Sequence, residues 1–231
     1  SQGSENIAIG YEALRQSNGN TNIAIGVGAG RNILLQSKLI AIGDSSLFNN
    51  TDGRYNTAIG SRSLFTNTNG EYNTAVGYLT LFNNTSGNHN SAFGNRALIS
   101  NNAGEGNTAV GSAVLFRNIS GSNNTAIGIS ALSNNTIGEG NTACGAFSLL
   151  LNTSGIQNTA IERFSLNHNN GDFNTASGHS ALAQNTSGNR NSAFGSSALS
   201  GNVTGQFNTA CGVGSLYSNI NGNNNCAFGE S

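Results

Sequence analysis

The side chains that could bind a metal ion or a receptor gather in one segment of the chain. Acidic, basic and imidazole groups occur close together there, at Glu162, Arg163, His168, Asp172 and His179. Imidazole and carboxylate groups are common ligands of zinc, and a mixed charged cluster could also contact a receptor. We interpret the segment instead as a decayed repeat in which Glu162 pairs with a neighbouring arginine. A metal or receptor site is the alternative.

No other residues form a pattern typical of a catalytic or metal-binding site. The third histidine, His89, is distant in sequence, and serine and cysteine recur at fixed intervals, so no single nucleophile stands out. Cys144 and Cys211 are four repeats apart, roughly 19 Å at ~4.8 Å per repeat, which is too far for a disulfide. We predict that the cysteines are small apolar packing residues. We also predict that the chain is not an enzyme and binds no metal or cofactor.

The composition limits the possible partners. Charged residues make up 8% of the 231 residues, and the formal net charge is −1. Nucleic acids and anionic membrane surfaces need a dense basic surface, so neither is an expected partner. No apolar run approaches the ~18 residues of a membrane-spanning helix, so we expect no membrane insertion by this segment.

The chain is built from a repeat of 17 residues. The phrase Asn-Thr-Ala-Ile-Gly, or a close variant, returns at this interval, and the residue that ends it serves as an anchor for counting. The anchors are Gly10, Gly26, Gly43, Gly60, Gly77, Gly94, Gly111, Gly128, Gly145, Glu162, Gly178, Gly195, Gly212 and Gly229. A unit this short cannot enclose a core of its own, so successive coils must stack. The pattern predicts an all-β solenoid of about 13 coils. We interpret residues 1–231 as a single repeat domain, excerpted from a longer protein.

Apolar columns indicate what lies inside the coil. Leucine stands four residues after most anchors, and Ile, Val or Phe often stands directly before them. The glycine and asparagine between these columns favour turns over a helix. We predict two short strands per coil, which form two parallel sheets facing each other across a narrow lumen, a β-roll. The residues predicted to fill the lumen are Leu47, Leu64, Leu81, Leu98, Leu115, Leu132, Leu149, Leu166, Leu182, Leu199, Leu216, Ile59, Val76, Val110 and Ile127. Alternation along the strand places Ala and Gly on the opposite face, and the assignment of the two faces could be inverted.

Asparagine recurs at two positions of the repeat. Side-chain amides stacked at the strand spacing can hydrogen-bond along the column and to the turn backbone, so we predict an Asn ladder. Its members are Asn56, Asn73, Asn90, Asn107, Asn124, Asn141, Asn158, Asn191, Asn208 and Asn225. A second asparagine column, which includes Asn50 and Asn67, is expected to behave in the same way.

Phenylalanine directly follows the leucine in several coils and should therefore point to the opposite face. We predict that these rings and the small Ala face are buried between subunits. The candidate interface residues are Phe48, Phe65, Phe82, Phe116, Ala58, Ala75 and Ala109. The alternative is an exposed aromatic strip that binds sugar or protein.

The phrase Asn-Thr-Ala-Ile-Gly, followed by Ala-Leu and Asn-Thr-x-Gly, resembles the head repeats of trimeric autotransporter adhesins. It is also similar to the shaft repeats of phage-tail-fibre-like proteins. The resemblance covers essentially the whole chain, although the adhesin head repeat is shorter. It implies a left-handed parallel β-roll that assembles as a side-by-side homotrimer.

These features predict a structural or adhesive segment of a trimeric surface or tail fibre, extracellular on a cell or virion. It would act as a rigid shaft or head for attachment. The expected partners are further copies of the chain and a cell-surface glycan or protein receptor, contacted by variable turn residues. Ice binding is a second hypothesis, since Thr57 and its equivalents form a threonine column. A second threonine column, which includes Thr51, lies six residues earlier beyond a glycine turn and is expected on a different face.

Overall fold

The protein is a parallel β-solenoid, and the computed structural model describes residues 3–230. This part of the chain contains strands and turns but no helix, and thus no helix long and apolar enough to span a membrane. Two compact units are distinguished, one ending at Ser120 and the other beginning at Gly121. The all-β class and the solenoid architecture predicted from the repeat are confirmed. The single domain over residues 1–231 stays a prediction.

Each coil contributes one strand of three residues. The strands of the first unit are β1 (Ile7–Ile9), β2 (Ile23–Ile25), β3 (Ile40–Ile42), β4 (Thr57–Ile59), β5 (Thr74–Val76), β6 (Ser91–Phe93) and β7 (Thr108–Val110). Those of the second unit are β8 (Thr125–Ile127), β9 (Thr142–Cys144), β10 (Thr159–Ile161), β11 (Thr175–Ser177), β12 (Ser192–Phe194), β13 (Thr209–Cys211) and β14 (Cys226–Phe228).

Within each unit, consecutive strands pair in parallel and in register, with alanine opposite alanine in every pair. The register survives where the repeat loses a residue, because Ala160 still pairs with Ala176. The deletion is absorbed in the turn. Asn169 donates its side-chain N–H to the carbonyl of Gly171, two residues ahead. In other coils the equivalent hydrogen bond spans three residues, as from Asn185 to Gly188. A slip within the strand would have turned every side chain to the other face.

The predicted second strand, and with it the second sheet, is wrong. The segment that carries the leucines forms consecutive turns, in which Arg62 and Leu64 have φ values of 57° and 48°. Such left-handed values cannot occur in a β-strand. The turns still join coil to coil. The Leu64 N–H donates to the Thr80 carbonyl at 3.0 Å, and the Thr66 N–H to the Phe82 carbonyl at 3.1 Å.

The leucine column fills the lumen, as predicted. Its fully buried members include Leu47, Leu64, Leu81, Leu98, Leu115, Leu132, Leu149, Leu166, Leu182 and Leu199, whereas Leu216 is half-buried. Gly30 stands in the leucine position of an irregular coil, and there Ile33 takes over the space. A Cβ added to Gly30 would lie 2.7 Å from Ile33 Cδ1, and Ile33 is fully buried. The apolar volume of the core is thus restored from another position.

The predicted faces of the strand are inverted. The middle alanine of nearly every strand is buried, and the predicted lumen residues Ile59, Val76, Val110 and Ile127 lie on the outer face. The lumen already holds the leucines and many fully buried asparagines, so a methyl group is the largest side chain that fits beside them. Ala58, Ala75 and Ala109 are 0% exposed within their own chain, and their assignment to a subunit interface is therefore wrong.

Two asparagine ladders run through the interior of the units, as predicted. In one, Asn84 Nδ2 donates to Asn67 Oδ1 at 2.8 Å and to the Gly87 carbonyl at 3.0 Å. In the other, the Asn73 N–H donates to Asn56 Oδ1 at 2.9 Å. The second pattern recurs at Asn90, Asn107, Asn141, Asn158, Asn191, Asn208 and Asn225, with Asn124 accepting from Asn141. The ladders supply partners for amides that would otherwise be buried without them.

Candidate functional site

The outer face of the strands carries a column of exposed and half-buried apolar side chains in each unit. We call it the strand face; it consists of the first and third residues of β1 to β14. Its first column is mainly Thr, Ser or Ile and its second mainly Ile, Val, Phe or Cys, and none of the fourteen strands contains a charged residue. In the second column, Ile59, Phe93, Ile127 and Phe194 are 37–44% exposed. This face is the main candidate for an interaction surface.

The three cysteines lie on the strand face rather than in the core. Cys144, Cys211 and Cys226 are free and exposed. Cys144 and Cys211 occupy the column of the outward-facing isoleucines. Their side chains therefore lie on the surface, and their predicted role as apolar packing residues is wrong. They are accessible thiols on the candidate surface.

The phenylalanine column forms a stack within its own chain. Phe48 lies 5.1 Å from Phe65, and Phe65 lies 5.2 Å from Phe82, measured between ring centroids. These rings and Phe116 are half-buried. Both faces of Phe65 are covered by its neighbours, so a sugar that stacks on an open ring face would find only ring edges there. Burial of this column between subunits stays a prediction.

A second set of stacked side chains stands five residues before the anchors, and sequence reasoning missed it. We call it the ring column. In the first unit, Tyr55 stacks on Tyr72 at 4.8 Å, and Tyr72 on His89 at 4.9 Å. In the second unit the same position carries Phe173, Arg190 and Phe207, three consecutive members that are all exposed. The signal was available in the sequence, because these residues follow one another at intervals of 17.

The irregular cluster does not come together as one site. Arg163 lies over the Phe164 ring, 4.4 Å from its centroid, and His179 approaches that ring edge-on at 6.1 Å. His168 lies elsewhere, with Nδ1 3.2 Å from the Ala183 carbonyl oxygen. No group of three or more His, Cys, Asp or Glu side chains in residues 3–230 is placed to hold a metal ion.

The predicted pairing of Glu162 with an arginine is also wrong. Within residues 3–230 the ion pairs join Glu12 to Arg15 and Arg31, and Glu162 takes part in none. Asp172 of the same cluster accepts a hydrogen bond from the Ile156 N–H at 2.9 Å. Glu162 therefore replaces the glycine of other anchors and is not part of a charged network.

Replacing Glu162 with glycine should stabilise the protein. Glu162 has a φ of 84°, whereas the anchor glycines have φ values of 112–140°, a region that residues with a Cβ avoid. Relief of the backbone strain should exceed the entropic cost of glycine and raise the free energy of unfolding by up to about 1 kcal/mol. The midpoint of urea unfolding, followed by circular dichroism, measures the gain. Glu162→Ala is the control, since it removes the carboxylate and keeps the Cβ. A glycine variant no more stable than the alanine variant would contradict the argument.

An open groove of about 580 Å³ crosses turns of the first unit. Its lining is Gln16, Asn32, Leu34, Asn49, Thr51, Thr66, Thr68 and Thr85. The threonine hydroxyls are engaged with backbone, since Thr66 Oγ1 donates to the Phe82 carbonyl at 2.7 Å and Thr68 Oγ1 to the Thr85 carbonyl at 3.0 Å. These hydroxyl protons brace the coils and are not available to a ligand or to ordered water.

Comparison with known proteins does not assign the chain to a family. Protein-family models, curated protein sequences and solved structures all gave no match.

Proposed function

We propose that this chain is a structural segment of a homotrimeric fibre, in which the strand faces of neighbouring copies pack against one another. The observation that carries the proposal is the uncharged strand face with its half-exposed Ile, Val and Phe side chains. Contiguous exposed apolar surface is costly in water and typically marks a protein interface. A purely solvated strand face would carry polar side chains in both columns, whereas in β4 to β13 Thr and Ser occupy the first column and Ile, Val, Phe or Cys nearly all of the second.

Another copy of the same chain is the partner that best fits this face. Its columns repeat at the spacing of parallel strands, ~4.8 Å, and an identical copy offers columns of the same spacing. Exposed apolar residues also directly follow several anchors, among them Tyr78, Ile129 and Val213, while Asp44 and Arg163 hold this position in other coils. Two commensurate apolar faces can interdigitate over many coils without placing a charge at the centre of the contact.

The finer features of the proposal follow from the repeat phrase. Its resemblance to adhesin heads and tail-fibre shafts supports a left-handed coil and a side-by-side arrangement of three chains. It also supports an extracellular site on a cell or virion, where the segment would act as a rigid shaft or head for attachment. Buried amide ladders and coil-to-coil backbone hydrogen bonds would give such a segment the stiffness that this role requires.

A lysine on the strand face should dissociate the assembly. We expect the native protein to sediment with the mass of three chains of 23.6 kDa, and Ile127→Lys to sediment as a single chain. Ile127 is 43% exposed in the isolated chain, and a lysine there would place an unpaired charge in the subunit contact. Sedimentation equilibrium or multi-angle light scattering measures the mass. Circular dichroism should show the same strand signal for both proteins.

Ile137→Lys is the matched control. Ile137 is 56% exposed and lies ten residues later in the same coil, outside any strand. We expect this variant to keep the mass of the trimer, because its side chain lies off the strand face. A single-chain mass for the native protein, or equal dissociation by both lysines, would remove the proposed interface.

Ice binding has weaker support. Thr57 and its equivalents point outward, but they share the strand face with a column that varies in size from Ser177 to Phe194. Such variation gives no flat lattice of hydroxyl and methyl groups. Thermal hysteresis in a sample of single-chain mass would favour ice binding over the fibre.

A further inference from the structure

Arg190 is held between two aromatic rings in the second unit. Its Cζ lies 5.6 Å from the centroid of the Phe173 ring and 5.4 Å from that of Phe207. The three residues belong to consecutive coils of the ring column, with nearly identical φ values of 59°, 56° and 57°. One ring therefore lies on each side of the guanidinium along the column. Stacking on two sides restricts the orientation of a side chain that is normally flexible.

The donors of this guanidinium have no protein partner. In the part of the chain that the structure describes, no carboxylate lies within ion-pair distance of Arg190, and its side chain makes no hydrogen bond. Arg15 and Arg31 differ in this respect, since both pair with Glu12. Arg190 is thus positioned by ring contacts alone, while its planar set of donors is unused.

A cavity of about 190 Å³ adjoins Arg190 and contains further polar groups. Asn189 uses its Oδ1 to accept the Asp172 N–H at 2.6 Å, which leaves its Nδ2 as a donor. The carboxylate of Asp172 accepts the Ile156 N–H through Oδ1 at 2.9 Å, which leaves Oδ2 as an acceptor. Gln206 also lines the cavity. The site therefore offers a planar cation, amide donors and one carboxylate acceptor at a surface edged by two rings.

We infer that this site binds a carboxylated sugar, a sialic or uronic acid residue of a glycan. The sugar carboxylate would accept two parallel N–H bonds from Arg190, and a sugar hydroxyl would donate to Asp172. A phosphorylated sugar suits the site less well, because its phosphate carries more negative charge toward the Asp172 carboxylate. The inference rests on the proposed attachment function, for which it names the class of ligand.

Titration with small acidic sugars tests the site. We expect sialyllactose or trigalacturonic acid to shift backbone amide NMR signals of residues around Arg190, while neutral lactose shifts none. The sugar that binds identifies the acid as sialic or uronic. Arg190→Gln should weaken binding at least about tenfold, since it removes a charge-assisted bidentate contact. Arg190→Lys should weaken it to a similar extent, because an ammonium group cannot form the fork.

Arg163→Gln provides the matched control. It removes the same charge from an arginine that stacks on a single ring, Phe164, and that is not part of the lining of the cavity beside Arg190. We expect this variant to bind the acidic sugar as the native protein does. Binding of neither acidic sugar, unchanged binding by Arg190→Gln, or an equal loss with Arg163→Gln would overturn the inference.

The mass of each sample, measured before titration, separates this inference from the proposed fibre. A trimer that binds no acidic sugar would overturn the sugar site alone. A single chain that binds it through Arg190 would overturn the fibre proposal and leave the sugar site intact.

Discussion

Gly77→Ala should strongly destabilise the coils around it. A Cβ on Gly77 would lie 2.3 Å from the Gly94 carbonyl oxygen of the next coil, and the φ of Gly77 is 137°. The overlap is with backbone, so no side-chain rotation can relieve it. Glu162 carries a Cβ at the equivalent position with its φ moved to 84°, so relief at Gly77 requires a similar backbone shift against the next coil, and we expect a loss of about 3–4 kcal/mol in the free energy of unfolding. Urea unfolding followed by circular dichroism measures the loss.

Gly229→Ala separates the two causes of this effect. Gly229 has a φ of 112°, but a Cβ added there meets nothing within 4 Å. The control therefore retains the backbone strain and omits the overlap, and it should cost about 1–3 kcal/mol at most. If Gly77→Ala shifted the unfolding midpoint no further than Gly229→Ala does, contact between coil backbones at the anchors would not limit the side chain.

Asn84→Asp should be the most damaging isosteric change in the amide ladders. Asn84 is 0% exposed, and its Nδ2 donates to Asn67 Oδ1 and to the Gly87 carbonyl. An ionised aspartate would direct an oxygen at these two acceptors, inside the protein and without a cation. An uncompensated buried charge of this kind typically costs about 3–5 kcal/mol, so we expect a loss of that size near neutral pH.

The effect of Asn84→Asp should depend on pH in a defined direction. Burial and the two facing acceptors would raise the pKa of the new carboxyl above its value in the unfolded chain. The destabilisation should then be smallest below the unfolded-state pKa, where the protonated carboxyl can still donate to one of its former acceptors. It should grow as the pH rises through the folded-state pKa. Urea midpoints at about pH 3.5 and about pH 7 test this sign.

Asn83→Asp is the control for this experiment. Asn83 precedes the ladder residue and is exposed, so the same change in charge occurs in water. We expect its unfolding midpoint to stay within about 0.5 kcal/mol of the native value at both pH values. Equal destabilisation by the two variants would show that net charge, rather than the amide ladder, sets the response.

The leucine and asparagine columns could be predicted because they depend on the period alone. Once coils stack in register, Leu64 must lie against Leu81 and Asn67 against Asn84, whatever the detailed path of the backbone. A buried column of amides at the strand spacing can then satisfy itself in only a few ways. The period of the sequence is therefore enough to predict which residues form the core and which asparagines hydrogen-bond to one another.

The direction of the strand faces could not be read from alternation, which separates Ala58 from Thr57 and Ile59 but does not say which side faces inward. The larger residues were assigned to the lumen because apolar burial usually favours them. The variation of residue type at each repeat position was the better indicator of which face is buried. The alanine position is the same in every strand, whereas the position of Ile59 also carries Val, Phe, Cys and Ser. A lumen of fixed width requires one size of side chain, and a surface does not.

The turns in the leucine segment were missed for a different reason. Leucine has no preference for a left-handed φ, so its propensity gave no warning that Leu64 adopts 48°. The absence of branched residues was the available sign. No Val, Ile or Thr occupies the leucine position or the position two residues after an anchor, as at Arg62. Side chains branched at Cβ are the least tolerant of positive φ. Their absence from the buried leucine column and from the exposed column of Arg62 therefore indicates turns.

The candidate sugar site escaped notice because it exists only between coils. Phe173, Arg190 and Phe207 are unremarkable when read along the chain, and of the residues that line the site only Asp172 belongs to the irregular cluster around Glu162. Their relation appears when residues at intervals of 17 are read as neighbours. In stacked repeats, chemistry can therefore be assembled from residues that no linear motif would join.

The amide ladders also allow the length of such a protein to change in whole steps. Each asparagine of a ladder needs only an equivalent asparagine in the coil above and the coil below. Excision of residues 61–77 would join Gly60 to Tyr78 and bring Asn84 against Asn50 in place of Asn67. Donor and acceptor counts would still match on every surviving rung. A gene encoding this chain can thus gain or lose units of 17 codons by recombination without an intermediate that fails to fold.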